Sequence, residues 1–282
     1  MVIDFHTHIF HPSIKQNRDE FLKKDRCLEL LYSTQRAKIA TAEELVQSMD
    51  DDGIDVSVVL NGGWYTQELC IETNDYILES IARYPKRIIG FCAIQPNAGD
   101  KALREIERCA ECGARGIGEL RPDDQGINLG DKKTMDPIVE LLVKHNLLFL
   151  THASEPVGHL YQGKGVVTPA TIYPFLCNYP QLRVICAHWG GGLPFYALMP
   201  EVRAVLANTY FDSAASPFLY EPEIYERVSE LIGPEKILFG TDYPLLKQGR
   251  VRAQIDTSRL SKSAKSMILG GNAKKLLYGE SV

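Results

Sequence analysis

The stretch Val2-Ile3-Asp4-Phe5-His6-Thr7-His8 is a short apolar run that stops abruptly in histidine. The same form recurs along the chain. Leu147–Thr151 runs into His152, Leu182–Ala187 into His188, Thr209–Asp212 ends on its own aspartate, and Ile237–Gly240 leads to Asp242. Val56–Leu60, Ile88–Ile94 and Ala114–Leu120 bring the count of such runs to eight. They are apolar on both faces, as strands buried in a parallel sheet must be. Between them lie the amphipathic segments Glu43–Asp50, Ile71–Tyr84, Lys101–Glu111, Met135–His145, Thr168–Asn178, Leu193–Leu206 and Glu221–Ile232. The first opens with a capping box, Thr41-x-x-Glu44. Gly113 stands where the third would be capped at its C-terminus. Eight strands alternating with helices predict an α/β fold, either a closed barrel or a doubly wound sheet. No Gly-x-Gly-x-x-Gly follows the first strand, which favours the barrel. The expectation is one (β/α)8 TIM barrel domain over residues 1–282, with no linker, repeat or low-complexity run.

Composition bounds the function. The chain has 282 residues, 45% hydrophobic and 24% charged, which supplies a core for a domain of this kind. A net charge of −5 is not the basic footprint of a nucleic-acid binder. No stretch approaches the roughly 18 apolar residues of a membrane span, and Met1-Val2-Ile3-Asp4 does not open like a secretory signal. Seven cysteines without a framework read as reduced thiols, so a cytoplasmic enzyme is expected. Cys109 and Cys112 form a C-x-x-C inside a helical pattern and lack a second pair, so they are read as structural. The expected partner is a small molecule, not nucleic acid or membrane, and a homo-oligomer is compatible with this composition.

The polar residues at strand ends carry the chemistry. The first strand delivers His6 and His8, the fourth Glu119, the fifth His152, the sixth His188, the seventh Asp212 and the eighth Asp242. In a parallel barrel these ends share one mouth, where barrel active sites are built. Side chains two apart on a strand point the same way, so His6 and His8 can chelate one ion. Imidazoles with carboxylates suit Zn²⁺, with Mn²⁺ and Fe²⁺ as alternatives. A lone His-x-His is weak; several ligand types at equivalent ends of different strands are not a packing pattern, because buried polar groups are costly unless paired. His11 and His145 read as a loop residue and a helix terminus. Two connections are long, residues 9 to about 40 and residues 153–167, and both follow C-terminal strand ends. Trp64, Tyr65 and Gln95 stand at the ends of the second and third strands, where aromatics either line a pocket or pack the barrel top. His159, Tyr161 and Lys164 on the second long loop either close over a substrate or stay solvated.

The motifs Asp4-Phe5-His6-Thr7-His8, Thr151-His152, Ala187-His188-Trp189-Gly190-Gly191-Gly192, Gly240-Thr241-Asp242-Tyr243-Pro244 and Gly271-Asn272-Ala273-Lys274-Lys275-Leu276-Leu277 together resemble the amidohydrolase superfamily. The nearest branch is the "amidohydrolase 2" group, which holds aminocarboxymuconate semialdehyde and γ-resorcylate decarboxylases beside lactone hydrolases. The resemblance implies that His6, His8 and His152 bind a divalent metal, with Asp242 as further ligand and general base. It assigns His188 either to a second metal or to acid–base chemistry. Many binuclear members carry a modified lysine at the fourth strand; this chain has Glu119. Glu119 then either bridges two ions or supports a ligand histidine from outside. Arg121 is a candidate clamp for a substrate carboxylate, or the ion-pair partner of Glu119 or Asp123. Asp212 is expected to support the site by orienting Ser213 or a ligand histidine.

The expected activity is hydrolysis, by metal-activated water, of an ester, lactone or amide C–O or C–N bond in a small carboxylate-bearing substrate. The possible bridge at Glu119 favours it over the alternative, a non-oxidative decarboxylase or hydratase of an unsaturated or aromatic acid. A non-enzymatic metal-binding barrel is disfavoured because no ligand position is missing.

Overall fold

A computed structural model describes residues 1–279. Eight parallel strands, β1 Ile3–Thr7, β2 Val56–Leu60, β3 Ile88–Cys92, β4 Gly116–Leu120, β5 Leu148–Thr151, β6 Val184–Cys186, β7 Thr209–Asp212 and β8 Ile237–Leu238, hydrogen-bond in sequence order. The ring closes by backbone bonds from Phe5 N to Phe239 O (2.7 Å) and from Asp242 N to His6 O (2.8 Å). This is the expected (β/α)8 barrel.

Alternation along the strands separates two apolar layers. Ile3, Phe5, Val56, Val58, Leu60, Phe91, Leu148, Leu150 and Ile185 form one buried cluster, the filling of the barrel. Val59, Phe149, Val184 and Cys186 face the surrounding helices. The first crossover helix, Ala42–Asp52, carries the full Thr41/Glu44 capping box and ends at Gly53 in the left-handed conformation. His145 caps the C-terminus of helix Lys132–Lys144 and His11 the N-terminus of helix Pro12–Gln16, so neither reaches the site.

Two expected segments differ. Leu193–Leu206 is not one helix: Trp189 to Gly192 hold φ near 58, 60, 60 and 90°, and only Pro200–Val205 is α-helical. Pro194 and Pro200 each remove a backbone donor, so an unbroken helix cannot form there. The connection after β1 contains three short helices, Pro12–Gln16, Arg18–Leu22 and Arg26–Tyr32. Asp25 anchors it, accepting from Cys27 N, Leu28 N and the backbone N and hydroxyl of Thr66.

Two strands slip register where the site is built. Between Asp4 and Thr7 of β1 one extra residue stands against β2, and the same occurs between Ile117 and Leu120 of β4 against β5. A bulge reverses the side to which later residues point. Ile3 and Phe5 fill the barrel; without the bulge His6 and His8 would face the helices, as Asp4 does. The β4 bulge turns Glu119 inward in the same way. Gly118 makes that possible: its φ is +144°, and a Cβ there would lie 2.4 Å from Leu150 O.

Candidate active site

His6, His8, Glu119, His152 and His188 converge, all buried, at the C-terminal mouth. Two triads, His6–His8–Glu119 and Glu119–His152–His188, each hold their ligand atoms within 4.8 Å of one another and share the carboxylate. Glu119 Oε2 lies 3.6 Å from His6 Nε2 and 3.7 Å from His8 Nε2. Its Oε1 lies 2.8 Å from His152 Nδ1 and 3.4 Å from His188 Nε2. Asp242 Oδ1 approaches the first pair, 3.4 Å from His8 Nε2 and 3.9 Å from His6 Nε2.

The outer ring nitrogens set what the inner ones can do. His6 Nδ1 donates to Asp212 Oδ2 (2.8 Å), His8 Nδ1 to Leu60 O (3.0 Å) and His188 Nδ1 to Ala214 O (3.1 Å). These partners only accept, so Nδ1 carries a proton and Nε2 faces inward, as a lone pair when the ring is neutral and as an N–H when it is charged. At His152 the roles are exchanged. Arg121 Nη1 donates toward Nδ1 (2.9 Å), and Nε2 contacts Ser154 Oγ (3.1 Å). Ring nitrogens and carboxylate oxygens thus crowd one another at the centre, with His6 Nε2 and His8 Nε2 only 3.1 Å apart. Such a donor set repels itself unless a proton or a cation lies between, so it fits a divalent metal. Imidazole and carboxylate without thiolate do not single out zinc.

The charges are strongly biased. Burial would raise Glu119, but the adjoining imidazoles of His152, His188 and His6 hold its carboxyl well below the usual range. Burial also opposes Asp242, yet His8 and the neighbouring imidazoles bring it down to about 2. His6 is lowered by burial but held above its ordinary value by Asp212 and Glu119, and His188 is held up by Glu119 against the same penalty. His152 falls to about 4 because burial and the Arg121 guanidinium act together.

Asp212 is the organiser that was expected to orient either Ser213 or a histidine. It orients His6, and its Oδ1 also accepts from His188 N and Ala214 N (3.0 Å each); Ser213 bonds Gly240 instead. Asp4 was not singled out as a site residue. It accepts from Thr241 N, Thr241 Oγ1 and Gln248 Nε2, tying β1 to the turn that carries Asp242. Burial raises it to about 6, with these bonds opposing.

A cavity of about 410 Å³ opens above the cluster. Trp64 and His159 line it. Arg121 lines it too, but is tied on three sides: Nε to Asp124 Oδ2 (2.6 Å), Nη1 to His152, and Nη2 to Gly163 O (2.6 Å). Its ion-pair partner is thus Asp124, not Glu119 or Asp123. Tyr65 lies off the cavity, its ring 3.6 Å from the Arg26 guanidinium carbon. Gln95 serves backbone oxygens of Tyr65 and Gln125, and Lys164 folds onto Val157 O and His159 O. Cys109 is buried and Cys112 exposed, both free. Tyr32 and Phe218 line the cavity but were missed; beyond the length of the first long loop, no sequence signal marks them.

A family model described as Amidohydrolase matches residues 3–278. The 2-amino-3-carboxymuconate-6-semialdehyde decarboxylase of Dictyostelium discoideum is 26% identical over 275 residues, covering 82% of this chain and 75% of that protein. The γ-resorcylate decarboxylase of Polaromonas sp. is 23% identical, covering 82% and 85%. Among solved structures, the 5-carboxyvanillate decarboxylase of Novosphingobium aromaticivorans, complexed with manganese and 4-hydroxy-3-methoxy-5-nitrobenzoic acid, superposes with a TM-score of 0.82 at 19% identity, covering 98% of this chain and 96% of that one. These relatives overturn the expected hydrolysis of an ester, lactone or amide, because they are lyases. Glu119 was a poor discriminator: a cluster that activates water holds a substrate's oxygens equally well. No helix among the described residues is long and apolar enough to cross a membrane.

Proposed function

The chain belongs to the amidohydrolase family, and from that premise we propose that it is a metal-dependent, non-oxidative decarboxylase of a small aromatic or unsaturated carboxylic acid. The observation that carries the reading is a buried imidazole–carboxylate cluster opening into one cavity of about 410 Å³, in a chain whose relatives are decarboxylases. That volume suits one small ring.

His6, His8, His152 and Asp242 would hold a divalent ion, with Glu119 and His188 available to a second. Zinc, manganese and ferrous iron all fit the donors, and manganese gains weight from the carboxyvanillate enzyme. When bound, the ion supplies positive charge that polarises substrate oxygens. His188 is the proton donor. Its Nδ1 is anchored on Ala214 O, its Nε2 faces the cluster, and Glu119 favours its charged form. The bond between the substrate carbon and the carboxyl carbon breaks, the electron pair stays on the substrate carbon, and a proton from His188 Nε2 replaces the departing CO₂. Asp242 stays ionised and faces the cavity, where it accepts a hydrogen bond from the substrate. Trp64 offers a flat wall; its indole N–H is already bonded to Asn61 and Thr73. Arg121 acts on the substrate through the two N–H groups its three partners leave over, and His159 closes the rim.

The test is CO₂ release from a panel of phenolic and unsaturated carboxylic acids by manganese- and zinc-loaded protein. Release is expected with at least one acid, falling at least about a hundredfold in His188→Ala, the scale of a lost general acid. No release from any acid, by protein that retains its metal, would sink the reading.

A further inference from the structure

Asp242 stands on strained backbone. Its φ is +64°, in the left-handed region that disfavours a side chain. Such a conformation persists only where the surroundings over-determine it. The bond from Asp242 N to His6 O (2.8 Å) fixes the peptide before Asp242. The peptide after it is held by Thr241, whose Oγ1 accepts from Tyr243 N (3.2 Å). The same hydroxyl donates to Asp4 Oδ2 (2.6 Å), and Thr241 N donates to Asp4 Oδ1 (3.0 Å). One hydroxyl therefore brackets Asp242, accepting from the residue behind it while donating to β1. That double role needs a group that is both donor and acceptor.

The bracket is only as firm as its anchor, and Asp4 is fully buried. Besides Thr241, its Oδ1 accepts from His6 N (3.2 Å) and its Oδ2 from Gln248 Nε2 (2.7 Å). Gln248 opens helix Gln248–Thr257 and also reaches Ser57 Oγ on β2 (3.2 Å). Two strand ends and a helix thus fix one carboxylate, which joins the backbone of His6 to a turn 237 residues away. Neither Asp4 nor Thr241 lines the cavity.

We infer that the Thr241 hydroxyl, anchored on Asp4, is the positioning group for Asp242, holding that carboxylate beside His6 and His8 before an ion or a substrate arrives. A carboxylate on an unbraced turn would have to be ordered on binding, at a cost in affinity. The inference rests on the ligand set of the decarboxylase reading and deepens it: Thr241 acts only through Asp242.

The experiment is a double-mutant cycle in manganese affinity, read on metal-free protein by competition with a chromogenic chelator. Thr241→Val is expected to weaken binding about tenfold, the lower end of the scale for a lost outer partner. Thr241→Ser, which keeps the hydroxyl, should stay within about twofold of wild type. In an Asp242→Ala background, Thr241→Val should change affinity less than about twofold, because the group it positions is gone. Thr241→Ala runs beside it, removing the same hydroxyl without setting a methyl against Asp4. Equal losses in both backgrounds, no loss from either hydroxyl deletion, or a loss in Thr241→Ser matching that in Thr241→Val would overturn the assignment. Asp242→Ala protein that binds manganese as tightly as wild type would remove its premise. None of these readouts uses turnover, so failure of the decarboxylase reading, seen as no CO₂ release, is a separate result.

Discussion

His6 and His152 are buried imidazoles of one cluster, both in contact with Glu119, yet they are driven in opposite directions. Burial lowers both. At His6 the outer partner is the Asp212 carboxylate, and the value ends above the ordinary one. At His152 it is the Arg121 guanidinium, and the value drops to about 4. Burial sets a common penalty, and the sign of one adjacent charge decides the outcome. The two triads therefore meet a metal differently. Protons compete with a metal more strongly at His6 than at His152.

The sharpest way to break that contrast is to remove the charge on the His6 side. Asp212→Asn keeps the shape but withdraws the carboxylate from His6 Nδ1 and weakens the acceptor for His188 N. Metal affinity is expected to fall about 10–100-fold, the usual cost of losing such an outer partner, read by competition with a chromogenic chelator. An unchanged affinity would mean that Asp212 does not order the ligand. Next in size is Arg121→Met on the other side. His152 loses the cation that depresses it, its pKa rises, and protons compete with metal at higher pH. The acid edge of metal retention should move upward, with a loss of less than about tenfold at pH 7, seen by titrating metal release against pH. An edge that moved down would reverse the assigned sign.

A third measurement sharpens the comparison without mutation. His6 and His188 are held above their ordinary value by Asp212 and Glu119, so protons compete with metal there. Calorimetry of metal binding in buffers of different ionisation enthalpy should show net proton release. In the metal-free protein the two sites also give opposite linkage. The depressed His152 contributes stability that is lost as pH falls from its unfolded value of 6.5 through about 4. The raised His6 contributes stability that is lost as pH rises through its folded value. The smallest effect belongs outside the cavity: Tyr65→Ala, which removes only the stack on Arg26, should leave metal affinity and kcat/KM within about twofold.

Much of the site was legible because parallel-barrel topology converts a one-dimensional pattern into a place. A polar residue where an apolar run ends must surface at the mouth, and His6, His8, Glu119, His152, His188 and Asp242 could be selected on that ground. Tyr65 shows the limit of the rule. It follows a strand end like Trp64 but faces the other way, because loop direction after a strand is set by its neighbours. Tyr32 shows the converse. It lies 24 residues beyond His8 in sequence, and only the packing of the β1 connection, pinned at Asp25, brings it over the cluster. The reaction class was misjudged because a carboxylate beside histidines describes a metal site, not the bond that the site will break.

By itself the sequence determined the eight apolar runs, their helical spacers and the chemistry of the residues that end them, since these follow from side-chain type and local period. Only the tertiary structure decided which way those residues point. The bulges in β1 and β4 arise from pairing with β2 and β5, and they turn His6, His8 and Glu119 from the helix layer into the barrel. Gly118, which alone fits against Leu150 O, is the single local trace of that decision. The opposite shifts of His6 and His152 were likewise decided in three dimensions, because Asp212 lies 206 residues from His6 and Arg121 lies 31 from His152. Charges so distant in sequence become adjacent only when the barrel closes.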